Sequence, residues 1–197
     1  HITGGVAAYH RGFSPRGDTV HEAVGKAFDL PLSIAYNETC SSFGYAMFSR
    51  RLLAATGEAR YADAMEQALY NACLAAVSLD GARFFYANPL AWNREEQDVP
   101  HNYSRERWHD WTCYCCPPQV TRVFGQLHRW AYATRGEDVW VHLYGGSALR
   151  ATLPGRGAVE LEQQTDYPWS GSVRLTWKAA PTGVTARMSG ATSADVA

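Results

Sequence analysis

Apolar residues recur at helical spacing in two consecutive stretches of this chain. From about Ile34 to Ala55 they are Phe43, Ala46, Met47, Leu52 and Leu53, which predicts a helix closed by Gly57 as C-cap. From about Ala59 to Val77 they are Tyr61, Met65, Ala68, Leu69, Cys73 and Ala76, a second helix ended by the turn residues Asp80 and Gly81 and joined to the first as an αα-hairpin. A short aromatic run, Arg83 to Ala87, reads as an extended segment, and a long polar loop follows from Asn88 to about Trp111. Loops of that length in compact domains tend to carry function.

Pro117 and Pro118 can open a third helix, because proline fits a first turn. Val120, Val123, Phe124, Leu127, Trp130 and Ala131 give it an apolar face, with a stop near Arg135 and Gly136. From residue 137 the period changes to alternation: Val139, Val141 and Leu143, then Val159 and Leu161, then Val173, Leu175 and Trp177. Strands separated by Gly and Pro turns are expected there. Ahead of all this, residues 1 to 31 are Gly-rich and polar and read as loop with at most a short helical turn, and the closing MSGATSADVA is expected to fray. The predicted class is mainly α with appended β. Three helices cannot close a core around their apolar faces and a few strands leave open edges, so both parts look truncated and a fragment is expected.

Composition narrows the partners. With 46% hydrophobic and 13% aromatic residues among 197, the chain can bury a core. Lys and Arg number 18 against 19 Asp and Glu, and no basic face stands out to bind a phosphate backbone, so nucleic acid is not expected. No stretch approaches the roughly 20 apolar residues of a membrane span, and the first residues lack the order of a signal peptide. No membrane partner is expected. Reduced cysteines favour the cytoplasm over secretion.

Five cysteines, Cys40, Cys73, Cys113, Cys115 and Cys116, are an odd number unevenly placed, and three of them crowd together. That suits a metal better than a disulfide framework. Glu38 and Cys40 fall at the predicted start of the first helix, and Cys113, Cys115 and Cys116 just before the third. A helix N-terminus carries unpaired N–H groups and partial positive charge, which favour thiolate and carboxylate. Three cysteines with a glutamate would make an uncommon ligand set for a purely structural zinc. By spacing alone, zinc stands level with core or redox roles for the cluster. Cys73, on an apolar helix face, reads as a small core residue.

The segments ITGG (2–5), LP and AYNETC (30–40), RYADAMEQALYNACLAAVSLDG (60–81), FFYANPL (84–90), CYCCPP (113–118) and TDYPWSG (165–171) together resemble the glycoside hydrolase family 127 β-L-arabinofuranosidases. The resemblance implies an (α/α)6 barrel followed by β-sandwich modules, with residues 1–136 as the later part of the barrel and 137–197 as the start of a sandwich. It implies Zn2+ held by Glu38, Cys40, Cys115 and Cys116, with Cys115 also the nucleophile. Glu22 matches the general acid/base and Tyr86 an active-site tyrosine that meets substrate. The chain departs from the family in having His21 before Glu22, where Gly is common, and Gln119 after the double proline, where Asn is common. The implied reaction is retaining hydrolysis that releases L-arabinose from β-L-arabinofuranosyl groups of plant glycans or glycoproteins. The full-length protein is open to homodimer formation. Two rivals stand beside this reading: a related glycosidase acting on another furanose-like sugar, and a zinc-binding structural or carbohydrate-binding protein without catalysis.

Overall fold

The computed structural model describes residues 4–6, 11–13, 19–21, 36–88, 91, 106–109, 115–189 and 195–196. The chain divides into two compact units, His1–Arg51 with Ala64–Phe124, and Leu52–Asp63 with Gly125–Ala197. No helix among the described residues is long and apolar enough to cross a membrane.

Two short strands, β1 (Arg11–Phe13) and β2 (Thr19–His21), pair antiparallel where the Gly-rich sequence reads as loop. Helix α1 (Thr39–Thr56) starts later than its apolar period suggests. The reason lies at Asn37, whose φ of 37° is left-handed and cannot belong to a helix. The helix is instead organised by Glu38, whose carbonyl accepts from Ser42 N at 3.0 Å, Ser42 Oγ at 3.1 Å and Ser41 Oγ at 2.7 Å. Gly57 ends it as expected, with φ 73° and its N–H on Leu53 O at 2.8 Å. Phe43 is wholly buried and meets Phe124 edge-on at 5.7 Å. Burying such a ring contributes about 1.5–3 kcal/mol.

The second helical stretch is not a uniform α-helix. It runs as α2 (Ala59–Gln67), a π-helical turn (Ala68–Cys73) and α3 (Leu74–Ala76). Leu74 N–H reaches back to Leu69 O, one residue further than an α-helix allows. Gly4 lies flat against the start of this turn: a Cβ there would come within 2.7 Å of Ala68 N. The expected inward face is nonetheless met, with Met65, Ala68, Leu69, Cys73 and Ala76 buried and Tyr61 half-buried. Burial pushes the Cys73 thiol up to about 12, as befits an inert core residue.

The aromatic run is extended, and three isolated bridges hold it: Val77 with Phe84, Phe84 with Trp108, and Glu38 with Ala87. Arg107 anchors it further, donating to Ala75 O at 2.7 Å while its guanidinium lies 4.6 Å from the centre of the Phe85 ring. Helix α4 (Cys116–Phe124) carries Pro117 and Pro118 in its first turn. It is shorter than its apolar face suggests. A 3-10 turn (Leu127–Arg129) follows, and Tyr132–Arg135 is strand β3 rather than the end of a helix. The predicted stop at Gly136 is a hairpin turn: Gly136 takes φ 60°, and Arg135 pairs with Asp138 of β4 (Asp138–Val141).

The remaining strands are β5 (Ser147–Leu153), β6 (Gly157–Thr165), β7 (Val173–Ala179), β8 (Thr185–Met188) and β9 (Asp195–Val196). Sheet β3-β4-β8 and sheet β5-β6-β7-β9 are antiparallel except for the pairs β4/β8 and β7/β9. The alternating residues Val139, Val141, Val159, Leu161, Val173 and Leu175 all enter one core with Tyr144 and Leu153. Gln163 joins that inward row and donates from Nε2 to Tyr132 Oη at 3.1 Å, Ser147 Oγ at 3.2 Å and Leu143 O at 3.3 Å. Residues expected to fray include Asp195 and Val196, which pair with Arg174 and Leu175.

Candidate metal centre

Helices α1 and α4 begin where the two cysteine-bearing motifs lie, as their placement predicts. Glu38, Cys40, Cys115 and Cys116 thereby bring one potential ligand atom each to within 4.8 Å of one another. Glu38 and Cys116 are buried, and Cys40 and Cys115 are half-buried. Tyr36, Phe84, Tyr86 and Ala87 form an apolar wall around Cys116, with Trp108 packed against it.

The separations suit a tetrahedral ion. With metal–sulfur bonds near 2.3 Å and metal–oxygen bonds near 2.0 Å, sulfurs sit about 3.8 Å apart and sulfur and oxygen about 3.5 Å apart. Here Cys115 Sγ lies 3.7 Å from Cys116 Sγ and 3.5 Å from Glu38 Oε1. Cys116 Sγ lies 3.9 Å from the same oxygen. Cys40 Sγ to Cys116 Sγ, at 3.2 Å, would open by about half an ångström. The residues present therefore fit a zinc-like cation.

The thiols' electrostatics run against the thiolate bias expected from the helix starts, because burial and mutual crowding outweigh the partial positive charge there. Cys40 is pushed well above the ordinary thiol range, first by its hydrogen bond to Cys116 and then by burial. Burial raises Cys115 to about 12, against the hydrogen bond from Tyr86. For Cys116 the Cys40 hydrogen bond favours thiolate, but burial and the nearby charges of Cys115 and Glu38 outweigh it and the net shift is upward. A divalent cation held by the four side chains would offset that upward shift, since its charge favours the thiolate form of each cysteine.

Tyr86 meets the cluster directly. It is 5% exposed, its hydroxyl stands 3.2 Å from Cys115 Sγ, and its ring tilts against Tyr36 and Trp108 at 6.5 and 5.9 Å. Of the tryptophans in the long loop, Trp108 is described, and it packs against the aromatic wall. Glu22 and Cys113 lie outside the described residues. Periodicity gives no hint of Thr39 and Asn88. Thr39 Oγ donates to Phe85 O at 2.5 Å, and Asn88 Nδ2 donates to Thr39 Oγ at 3.2 Å. The polar type of Thr39 at a fully buried position is the one signal, and it is visible only once burial is known.

Cysteines and a glutamate gathered at two helix starts, followed by a β unit, match a known class of carbohydrate-active domain. Residues 1–129 match the Beta-L-arabinofuranosidase, GH127 catalytic domain, and residues 138–188 match the Beta-L-arabinofuranosidase, GH127 middle domain. The chain belongs to glycoside hydrolase family 127. It is similar, at 30% identity over 180 residues, to the Non-reducing end beta-L-arabinofuranosidase of Bifidobacterium longum subsp. longum, covering 89% of this chain and 25% of that protein. A solved glycoside hydrolase superposes with a TM-score of 0.85 at 37% identity, over 93% of this chain and 31% of its own. A GH127 β-L-arabinofuranosidase from Geobacillus stearothermophilus T6 gives 0.77 at 39% identity, over 90% and 27%. The chain thus spans between 25% and 31% of the length of these relatives.

Proposed function

We propose that the full-length protein is a retaining glycoside hydrolase that releases L-arabinose from β-L-arabinofuranosides, with Cys115 as nucleophile and Glu22 as acid/base. The observation that carries this reading is the convergence of Glu38, Cys40, Cys115, Cys116 and Tyr86 on one point of a family 127 chain. In this reading the helical part, residues 1–136 by sequence pattern, belongs to an (α/α)6 barrel, and the β part opens a sandwich.

Glu38, Cys40, Cys115 and Cys116 would hold zinc, which when bound supplies the positive charge that keeps Cys115 as thiolate. Tyr86 orients the Cys115 sulfur through the contact at 3.2 Å and can also meet a sugar hydroxyl. Cys115 attacks the anomeric carbon as the glycosidic C–O bond breaks, and Glu22 protonates the departing oxygen. Glu22 then takes a proton from water, whose oxygen attacks the anomeric carbon, and the C–S bond breaks to restore the thiolate. Two inversions give net retention.

The test is mass spectrometry of the full-length protein treated with a β-L-arabinofuranosyl mechanism-based inhibitor. A sugar adduct on Cys115 is expected. An adduct on any other residue overturns the assignment.

A further inference from the structure

Thr39 sits between two of the candidate ligands, Glu38 and Cys40, and is wholly buried. Its contacts all go to one place. Its backbone N–H donates to Tyr86 O at 2.9 Å and its hydroxyl donates to Phe85 O at 2.5 Å. The Phe85 carbonyl belongs to the peptide plane that precedes the Tyr86 Cα, and the Tyr86 carbonyl to the plane that follows it. One residue therefore grips both planes flanking Tyr86. Fixing both planes fixes the two backbone dihedrals of Tyr86, and with them the direction of its Cα–Cβ bond. That direction places the Tyr86 hydroxyl 3.2 Å from Cys115 Sγ.

Asn88 completes the grip. Its Nδ2–H fills the acceptor side of the Thr39 hydroxyl at 3.2 Å, which leaves that hydroxyl's proton for Phe85 O, while its backbone N–H donates to Asn37 O at 3.2 Å. The backbone joins residues 37–39 to 85–88 by one bridge, Glu38 with Ala87, whose two hydrogen bonds are Thr39 N–H to Tyr86 O and Asn88 N–H to Asn37 O. The Thr39 hydroxyl and the Asn88 amide add two side-chain hydrogen bonds across the same pair of segments, one of them to the Phe85 carbonyl that the backbone bridge does not reach.

We propose that Thr39 and Asn88 are positioning residues that lock the Glu38–Cys40 ligand segment to the Tyr86 segment, so that the metal ligands and the tyrosine on Cys115 move as one piece. The proposal rests on the reading of the cluster as a metal centre with Cys115 reactive. It assigns roles to two side chains whose hydrogen bonds run to each other and to the Phe85 carbonyl.

The test compares Thr39→Val, which keeps shape and loses the hydroxyl, with Thr39→Ser, which keeps the hydroxyl, in the full-length protein loaded with Co2+ as a spectroscopic probe. Thr39→Val is expected to shift the thiolate-to-cobalt absorption bands and to lower kcat about 10- to 100-fold, with KM changed less than about threefold. Thr39→Ser is expected to restore both to within about twofold. Wild-type bands and kcat in Thr39→Val, or failure of Thr39→Ser to restore them, overturn the positioning role. Should Thr39→Val not fold, Asn88→Ala removes the half-buried amide that fixes the Thr39 hydroxyl and leaves the bond to Phe85 O in place: shifted bands support the lock, and unchanged bands overturn the role given to Asn88. Absence of thiolate–cobalt bands in the wild type overturns the metal reading itself, and the positioning role with it.

Discussion

Between residues 36 and 42 the helical unit buries Tyr36, Asn37, Glu38, Thr39 and Ser42, four of them polar, whereas β4 and β7 of the β unit bury Val139, Val141, Val173 and Leu175. The first segment is a costly way to fill space, because each buried polar group must find a partner or lose about 1–3 kcal/mol. The second is an ordinary alternating sheet. The contrast separates what each region's substitutions should change: the candidate site in the first, stability in the second.

The sharpest break in that comparison is Cys115→Ser in the full-length protein. It should lower hydrolysis of an aryl β-L-arabinofuranoside by on the order of 10⁴-fold, because a hydroxyl neither ionises like the thiol nor binds zinc as well. Activity within tenfold of wild type would remove Cys115 from the nucleophile role. Chelation of the proposed metal should come next: amide exchange over residues 36–42, 84–88 and 116–120 should accelerate about a thousandfold, while β5, β6 and β7 keep their protection. Equal loss in both regions would erase the distinction.

Leu161→Ala probes the other side. This wholly buried residue should cost about 3 kcal/mol in denaturant unfolding of the β unit and leave the cobalt spectrum of the helical unit unchanged. The smallest effect is expected from Arg150→Ala. Its pairing with Glu160 at 3.0 Å involves a side chain 80% exposed, so its loss should alter stability by less than about 1 kcal/mol. A larger change would mean that the outer face of this sheet matters more than its exposure implies.

Local patterns in the sequence were legible where the cause is local. Gly57 as helix stop, the start of α4 at Cys116, and the inward rows of β6 and β7 follow from periodicity and turn chemistry, whereas α1 begins at Thr39 rather than near Ile34 as its apolar period suggests. The misses have non-local causes. Tyr132 to Arg135 reads as the tail of a helix because Trp130 and Ala131 continue the apolar period, yet pairing with β4 makes the segment a strand. The Thr39 hydroxyl finds its acceptor 46 residues away, a distance no period can report. The four candidate ligands were nameable from the resemblance carried by ETC and CYCCPP, with their place at two helix starts as a physical reason; their common meeting point came only with the fold. Glu22 remains an inference from its motif, outside the described residues.

The π-helical turn at Ala68–Cys73 bears on how this chain tolerates insertions and deletions. It holds one residue more than an α-helix needs to rise the same distance. Removing the exposed Asn71 would let the hydrogen bonds revert to α-helical spacing over the same rise, so Val77 would keep its phase with Phe84. The same one-residue deletion in the regular helix α2 has no such slack and would rotate everything downstream by about 100° about the helix axis. The turn thus marks the place in this hairpin where the chain can lose a residue without turning the aromatic run that carries Tyr86 away from the ligand segment.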